Sequence, residues 1–471
     1  MKRIETDICV IGAGSGGLSV AAGAAQMGAR VVLIEAGEMG GDCLNAGCVP
    51  SKALIAAAKA AEAQRHGFRG VAGMEPAVDF GGVKDHIAAV IAQIAPVDSQ
   101  ERFEGLGVRV IRAFGRFVGP REVEAGGYKI VGRRFVIATG SRPFVPPIAG
   151  ADKVPWFTNE TIFALRERPE HLIVIGGGPI GVEMAQAHRR LGSAVTVIEG
   201  AQALGREDPE LAGVVLEALR AEGIVLREGQ QVVRLSGVAG AVEVALADGT
   251  TVRGSHLLMA VGRKVALEGM GLEAAGVAYT AKGVTVDARL RSSNRRVFAV
   301  GDAAGGLQFT HVAGYHAGIV VRQVVLGLPA VATMRAMPRA TYSDPELAQV
   351  GLTEAEARDF YGAAVTVVKA EFAHNDRAIT QAKGKGLLKV MVVKGRPVGA
   401  SIVGPQAGEL IALWALAISA KLKMSAIAAM VAPYPTLGEV SKRAAGAYFS
   451  PKLFDNAALK RLVRFVQRFV P

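Results

Sequence analysis

The sequence predicts an α/β protein of several domains, in which one glycine-rich strand–turn–helix unit occurs twice and a different module follows it. Three observations carry this. The repeat is visible by eye, and the 471 residues exceed what one ordinary core holds. The composition, half hydrophobic and one fifth charged with 59 glycines, is that of a globular chain with many tight turns.

The first unit is Asp7-Ile-Cys-Val-Ile-Gly-Ala-Gly-Ser-Gly-Gly17, closing at Val31-Val-Leu-Ile-Glu35. The second is Leu172-Ile-Val-Ile-Gly-Gly-Gly-Pro-Ile-Gly-Val-Glu183, closing at Val195-Thr-Val-Ile-Glu199. Each reads as a buried strand, a glycine turn, a helix, a second strand and a terminal acid. This βαβ pattern predicts two Rossmann-like dinucleotide-binding domains. The strand signal Arg296-Val-Phe-Ala-Val-Gly-Asp302 and the helix-like 311–326 read as the chain returning to the first domain. The expected boundaries are 1–155 with 285–334 for the first domain and 156–284 for the second. From about Arg335 strand-like runs at 387–393 and 398–403 alternate with a helix at 408–422, which sets off a C-terminal α+β domain over 335–456. Residues 457–471 form an amphipathic basic helix: Leu459, Leu462, Val463, Val466, Phe469 and Val470 share one face, and Lys460, Arg461, Arg464 and Arg468 the other.

In the first fingerprint, Gly12 permits the tight turn, Gly14 lets the backbone approach a pyrophosphate, and Gly17 lets helix and strand pack closely. The pyrophosphate then sits at the positive end of a helix, and Glu35 accepts from a ribose hydroxyl. Gly176, Gly178 and Gly181 repeat the pattern, with Glu199 as the acid. A carboxylate there binds the 2′-hydroxyl of NAD and repels the 2′-phosphate of NADP. No arginine adjoins it, the nearest downstream being Arg206, so NADH is the expected nucleotide and NADPH the less favoured one.

Between the two units lies Gly40-Gly-Asp-Cys-Leu-Asn-Ala-Gly-Cys-Val-Pro-Ser-Lys52, with four residues between Cys43 and Cys48. Pro50 suits the first turn of a helix, and a cysteine near a helix N-terminus and a lysine gains a usable thiolate. The alternatives are a metal pair or two core thiols. A four-ligand metal site needs partners, and the only other cysteine, Cys9, falls inside the first strand. No metal site is therefore expected. Three cysteines exclude a secreted disulfide scaffold. The net charge of +12 attracts anions, but the basic residues are scattered outside the tail, which argues against nucleic acid. Met1-Lys2-Arg3 leads straight into a strand, so the expected location is cytoplasmic.

The run from Gly40 to Lys52 resembles the redox signature of class I pyridine nucleotide-disulfide oxidoreductases, a family that includes dihydrolipoamide dehydrogenase, glutathione reductase and mercuric reductase. The resemblance extends over nearly the whole chain, through Ala138-Thr-Gly-Ser141, Ala260-Val-Gly-Arg263, Val300-Gly-Asp302, Tyr342-Ser-Asp-Pro345 and Val350-Gly-Leu-Thr-Glu354. It implies an FAD-dependent enzyme that passes electrons from NADH through flavin to a Cys43–Cys48 disulfide and on to a small acceptor. It implies that Cys48 sits against the flavin, that Cys43 exchanges with substrate, and that Lys52 and Glu183 form an ion pair beside flavin and nicotinamide. Thr139, Gly140, Asp302 and the segment Thr310, His311, Val312 and Ala313 are the further implied FAD contacts, with His311 structural rather than catalytic. Gly262 is implied for the nicotinamide nucleotide. The C-terminal domain is implied to dimerise and to share active sites between subunits.

The pattern breaks at one place. The family's disulfide reductases carry His-Pro-Thr-x-x-Glu near the C-terminus, with the histidine as acid/base. Here the run is Tyr434-Pro-Thr-Leu-Gly-Glu439, and no histidine follows His374. Tyrosine's ordinary pKa of about 10 makes it a poor base near neutrality. Mercuric reductases share a tyrosine there, yet this chain has no cysteine after Cys48. A small disulfide is thus the first expected acceptor, a mercury or other metal ion the second, and flavin diaphorase or transhydrogenase chemistry the third. The tail helix is expected to contact its own dimer, an anionic membrane or a membrane protein.

Overall fold

The computed structural model describes residues 1–470 and divides them into two compact units, one of Met1–Gly200 with Val225–Thr333, the other of Ala201–Ile224 with the chain from Met334. Pro471, the last residue of the expected tail helix, lies outside the described residues.

The first unit starts with β1 (Lys2–Ile11), α1 (Ser15–Gln26) and β2 (Val31–Glu35). Then come α2 (Gly41–Asn45), α3 (Cys48–His66), α4 (Phe80–Asp98) and α5 (Gln100–Gly105). Strands β3 (Arg109–Arg112), β4 (Arg116–Gly119), β5 (Glu122–Ala125) and β6 (Tyr128–Ile137) complete the first sheet in the order β3-β2-β1-β6-β5-β4. β1, β2, β3 and β6 are parallel, and β4 and β5 form an antiparallel edge. The apolar run of β1 has no polar side because both sheet faces are covered: Ile8 and Val10 enter one core, Cys9 and Ile11 the other. Cys9 is fully buried, and burial pushes its thiol far up, so it is a core residue.

The second βαβ unit has β7 (His171–Ile175), α6 (Pro179–Arg190) and β8 (Ala194–Glu199). After α7 (Pro209–Ala221), β9 (Val225–Glu228) and β10 (His256–Met259) complete a parallel sheet in the order β9-β8-β7-β10. Then β11 (Val297–Ala299) pairs in parallel with β6 of the first sheet, and α8 (Thr310–Val324) packs on α1. Helices α3 and α6 also pack together, which brings the two nucleotide-type units to one seam.

The other unit is built on five antiparallel strands, β12 (Pro338–Thr341), β13 (Glu346–Gly351), β14 (Val365–Glu371), β15 (Leu387–Val393) and β16 (Arg396–Gly404), in the order β12-β13-β16-β15-β14. Helix α9 (Ala407–Ser419) lays the fully buried Trp414 into its core. Helix α7 belongs here, although its sequence sits inside 156–284. Ion pairs tie it there: the buried ammonium of Lys389 on β15 meets Asp208 at 2.9 Å, Glu210 at 2.7 Å and Glu354 at 3.0 Å, and Arg339 meets Glu207 at 3.0 Å. Asp208 also caps α7, so the cap and the ion pair anchor the same helix. The chain closes with α10 (Glu439–Phe454) and α11 (Ala457–Phe469).

Candidate active site

The loop between β2 and α3 carries both reactive cysteines. Asn45 Nδ2 donates to the carbonyls of Met39 at 3.0 Å and Gly41 at 2.9 Å, closing α2 around Cys43. From outside, Asn159 Nδ2 donates to Asp42 Oδ1 at 2.9 Å and to the Ala46 carbonyl at 3.0 Å, and the Arg263 guanidinium lies 3.2 Å from Asp42. Gly47 has no room for a side chain, since a Cβ there would come within 2.9 Å of the Asp42 carbonyl oxygen. The loop is thus held at both ends, and Cys48 opens α3 at its first position.

Cys43 and Cys48 stand as two free thiols joined by a hydrogen bond, and Cys48 Sγ is 3.3 Å from Thr310 Oγ1. The Cys48 thiol is pulled down to about 6. The hydrogen bond from Cys43 does most of this, and the Thr310 hydroxyl and the Lys52 ammonium add to it against the upward push of burial. The same bond and burial drive the Cys43 thiol up. The hydrogen bond from Cys43 and the neighbouring groups thus favour the negative charge on Cys48 over Cys43. Lys52 Nζ, one turn further along α3, lies 2.7 Å from Glu183 Oε2 on α6, so the residues expected to pair do so across the seam. Glu183 is nearly buried there.

The first fingerprint fits an FAD. Gly12 has φ +107° and its Cβ would lie 2.3 Å from the Ala138 carbonyl oxygen; Gly17 would meet the Gly12 carbonyl at 1.8 Å. Protein packing therefore fixes these two. Gly14 is different: its Cβ would meet only the Gly41 Cα, at 3.9 Å, which leaves open space above the N-terminus of α1. Glu35 takes hydrogen bonds from the amides of Ala13 at 2.5 Å and Gly37 at 2.6 Å, which holds its carboxylate beside the turn. Thr139 Oγ1 is buried with no hydrogen-bond partner among the described residues, next to Gly140 at φ +66°. Asp302 accepts from Ser141 Oγ at 2.6 Å, and burial raises its carboxyl despite that bond and the Arg263 charge. An unpartnered buried hydroxyl and an open glycine turn are what a bound dinucleotide with a polyol chain satisfies. Val312 and Ala313 are buried in the first turn of α8, and His311 is exposed and stacked on Phe309 with ring centroids 5.3 Å apart.

The second fingerprint repeats the division of labour. Gly176 and Gly181 are fixed by packing, with Cβ positions 2.4 Å and 1.9 Å from carbonyl oxygens, while nothing lies within 4 Å of a Cβ on Gly178. Glu199 Oε2 accepts from the Gly177 amide at 2.7 Å, so it sits at the turn. Gly262 is exposed at φ +133°.

A cavity of about 350 Å³ opens on the dithiol, with Cys43 but not Cys48 in its wall. Ser15, Leu18, Ala22, Ile94, Asp98 and Arg102 line it from α1, α4 and α5. Asp98 and Arg102 escaped the sequence reading, as did Asp42, Asn159, Ser141 and Arg263. Asp42, Ser141 and Arg263 lie inside quoted motifs but took no role from them, whereas Asp98, Arg102 and Asn159 lie in none, and only the folded chain brings these residues together.

Tyr434 and Glu439 lie in the other unit. Tyr434 is exposed and donates its hydroxyl to Asp376 Oδ2 at 2.9 Å, which holds the phenol above its ordinary value. Glu439 opens α10 and accepts from the Thr436 amide at 3.4 Å. The tyrosine's partner is thus Asp376, not the glutamate of its own motif.

Comparison with known proteins agrees with this geometry. Residues 6–317 match the family model described as pyridine nucleotide-disulphide oxidoreductase, and residues 337–445 match its dimerisation domain. The chain is 34% identical over 461 residues to a mercuric reductase of Streptomyces lividans, covering 94% of this chain and 96% of that one. It is 36% identical over 463 residues to a dihydrolipoyl dehydrogenase of Thermus scotoductus, covering 94% and 97%. Among solved structures, the HOCl-induced flavoprotein disulfide reductase RclA from Escherichia coli superposes with a TM-score of 0.84 at 29% identity, covering 93% of this chain and 99% of that one. LpdA from Mycobacterium tuberculosis gives 0.86 at 26% identity, covering 95% and 99%. A dithiol poised between two dinucleotide turns, on a chain that these proteins match over 93–95% of its length, makes this protein an FAD-dependent member of the pyridine nucleotide-disulphide oxidoreductase family that uses NAD(P)H and forms a homodimer through its C-terminal domain.

Proposed function

We propose that the enzyme takes electrons from NADH and delivers them through Cys48 and Cys43 to a small disulfide, in the cytoplasm. The observation that carries this is the asymmetry of the pair: of the two cysteines Cys43 lines the cavity, while Cys48 stands at the start of α3 where Cys43, Thr310 and Lys52 favour its thiolate. Gly12, Gly14, Glu35, Thr139, Gly140, Asp302 and the start of α8 would hold the FAD, which when bound supplies the two-electron relay between nicotinamide and sulfur. Gly176, Gly178, Gly181, Glu199 and Gly262 would hold the nicotinamide nucleotide. The Glu199 carboxylate favours NADH by repelling a 2′-phosphate.

The overall first half is NADH plus the Cys43–Cys48 disulfide, giving NAD⁺, the Cys43 thiol and the Cys48 thiolate. In the second half the Cys43 sulfur, once deprotonated, attacks the acceptor disulfide and releases one acceptor thiol. The Cys48 thiolate then attacks the Cys43 sulfur, closes the protein disulfide and releases the second. Cys43 starts protonated, so this half needs a base. In our reading Tyr434 and Glu439 of the partner subunit face that step, and a phenol held above its ordinary value by Asp376 is slow at it. A second reading, reduction of a mercury ion bound by the two sulfurs, is favoured by the similar mercuric reductases, which match 93–94% of the chain at 32–35% identity.

The test is anaerobic stopped-flow reduction by NADH, followed by mixing with lipoamide, oxidised glutathione, Hg(II) under excess thiol, and quinones. The disulfide reading expects fast reduction, slow reoxidation by disulfides and no disulfide turnover in Cys43→Ser. Reoxidation by Hg(II) alone would transfer the proposal to the metal reductases.

A further inference from the structure

We propose that helix α11 docks the enzyme on a membrane surface rich in anionic lipid. The helix lies beyond the part of the chain that the family's dimerisation domain matches, which ends at residue 445, so it is an addition to the common architecture. Asn456 starts it, accepting from the amides of Ala458 and Leu459, both at 3.0 Å.

Successive residues turn by about 100°, so Leu459, Leu462, Val463, Phe465, Val466 and Phe469 fill one arc of about 160°. Lys460, Arg461, Arg464, Gln467 and Arg468 fill an opposite arc of about 120°. Of the apolar residues only the small Ala457, in the first turn, falls among the cations. The apolar face is uncovered: Leu462 is 56%, Phe465 61% and Phe469 70% exposed. Phe465 and Phe469 pack on each other, centroids 4.8 Å apart, as one aromatic wedge. Four cations and no acid occur between Asn456 and Val470.

Charge chooses the occupant. A second copy of the helix would set Lys460 and Arg461, at the edges of the apolar arc, against their own counterparts with no acid to offset them. An anionic bilayer surface meets both faces at once: the apolar arc enters the acyl boundary, and the flanking cations reach the lipid phosphates along their own apolar stems. Thirteen residues span about 20 Å along the surface. Among the described residues no helix is long and apolar enough to cross a membrane, so the contact lies in the interfacial plane.

The test is co-sedimentation of the holoenzyme with phosphatidylglycerol/phosphatidylcholine vesicles and with pure phosphatidylcholine vesicles at low salt. The expected result is binding to the first alone, falling as salt rises. Arg461→Gln with Arg464→Gln should lower partitioning by about 30-fold, and Phe465→Ser with Phe469→Ser should abolish it. Both variants should keep full NADH-dependent flavin reduction and the dimer. Absence of vesicle binding by the intact protein at low salt overturns the proposal. So does equal binding by the Arg→Gln variant, equal binding to neutral vesicles, or loss of the dimer in the Phe→Ser variant, which would make the helix a subunit contact. Tighter binding to duplex DNA than to anionic vesicles would also overturn it.

Discussion

Replacing Thr310 by valine removes the hydroxyl 3.3 Å from Cys48 Sγ and leaves the shape of the side chain almost unchanged. That hydroxyl is one of three groups that hold the Cys48 thiol near 6; the others are the Cys43 thiol and the Lys52 ammonium. A hydrogen bond to a charged group contributes about 1.5–3 kcal/mol. At about 1.4 kcal/mol per pH unit, its loss raises the Cys48 midpoint by about one to two units. The direction is fixed, because the hydroxyl stabilises the charged form and its removal must favour the thiol. At pH 7 the thiolate fraction should fall from about 90% to between about 50% and 10%. The assay is a pH titration of the dithiol enzyme, labelled with carbon-13 at the cysteine Cβ and kept under excess dithiol without oxygen. Only three cysteines contribute, and Cys9 stays protonated throughout, so Cys43→Ser identifies the remaining signal. A midpoint that does not move would show that Thr310 does not hold the thiolate, and would leave the Cys43 thiol and Lys52 as its only support.

Four further outcomes follow from the same geometry. Gly178→Ala should fold normally and weaken NADH binding by about tenfold or more, whereas Gly181→Ala should disrupt the domain, because its Cβ would lie 1.9 Å from the Gly176 carbonyl; equal thermal stability of the two would contradict this. Glu199→Ala should narrow the preference for NADH over NADPH, read as the ratio of kcat/KM during flavin reduction, and a wild type that prefers NADPH would remove the assignment. Lys389→Met should cost about 3–5 kcal/mol of stability by leaving the buried Asp208 carboxylate without its cation; an unchanged denaturation midpoint would show that α7 is held otherwise. Tyr434→His should raise lipoamide turnover by about ten- to a thousandfold if the missing base limits the second half-reaction, and wild-type turnover at the level of histidine-bearing relatives would show that tyrosine suffices.

The two glycine fingerprints were legible because each glycine answers to a local constraint. Gly12 and Gly176 turn the chain, Gly17 and Gly181 let a helix touch a strand, and Glu35 and Glu199 close the units in register. The cysteine pair was legible for a similar reason, since Gly47 and α3 are local to it. Asn159 and Arg263 clamp Asp42 from far along the chain, and no spacing rule reaches them. The grouping of Ala201–Ile224 with the C-terminal unit was equally hidden, because its ties, among them Lys389 to Asp208 and Arg339 to Glu207, join residues far apart in the chain. Helix ends drifted by a residue or a few: the helix expected over 408–422 runs Ala407–Ser419, and Lys421 beyond it adopts φ +54°. The substitution at Tyr434 was plain in the sequence, but its partner Asp376 appeared only in the fold.

The claim at the centre is that NADH electrons reach the Cys43–Cys48 pair. It is tested most directly by counting thiols after one equivalent of NADH is added to the oxidised holoenzyme without oxygen. With three cysteines in the chain, the free thiols per chain under denaturing conditions should rise from Cys9 alone to all three, and no such rise should occur in Cys43→Ser. Consumption of NADH with no new thiol would contradict the account.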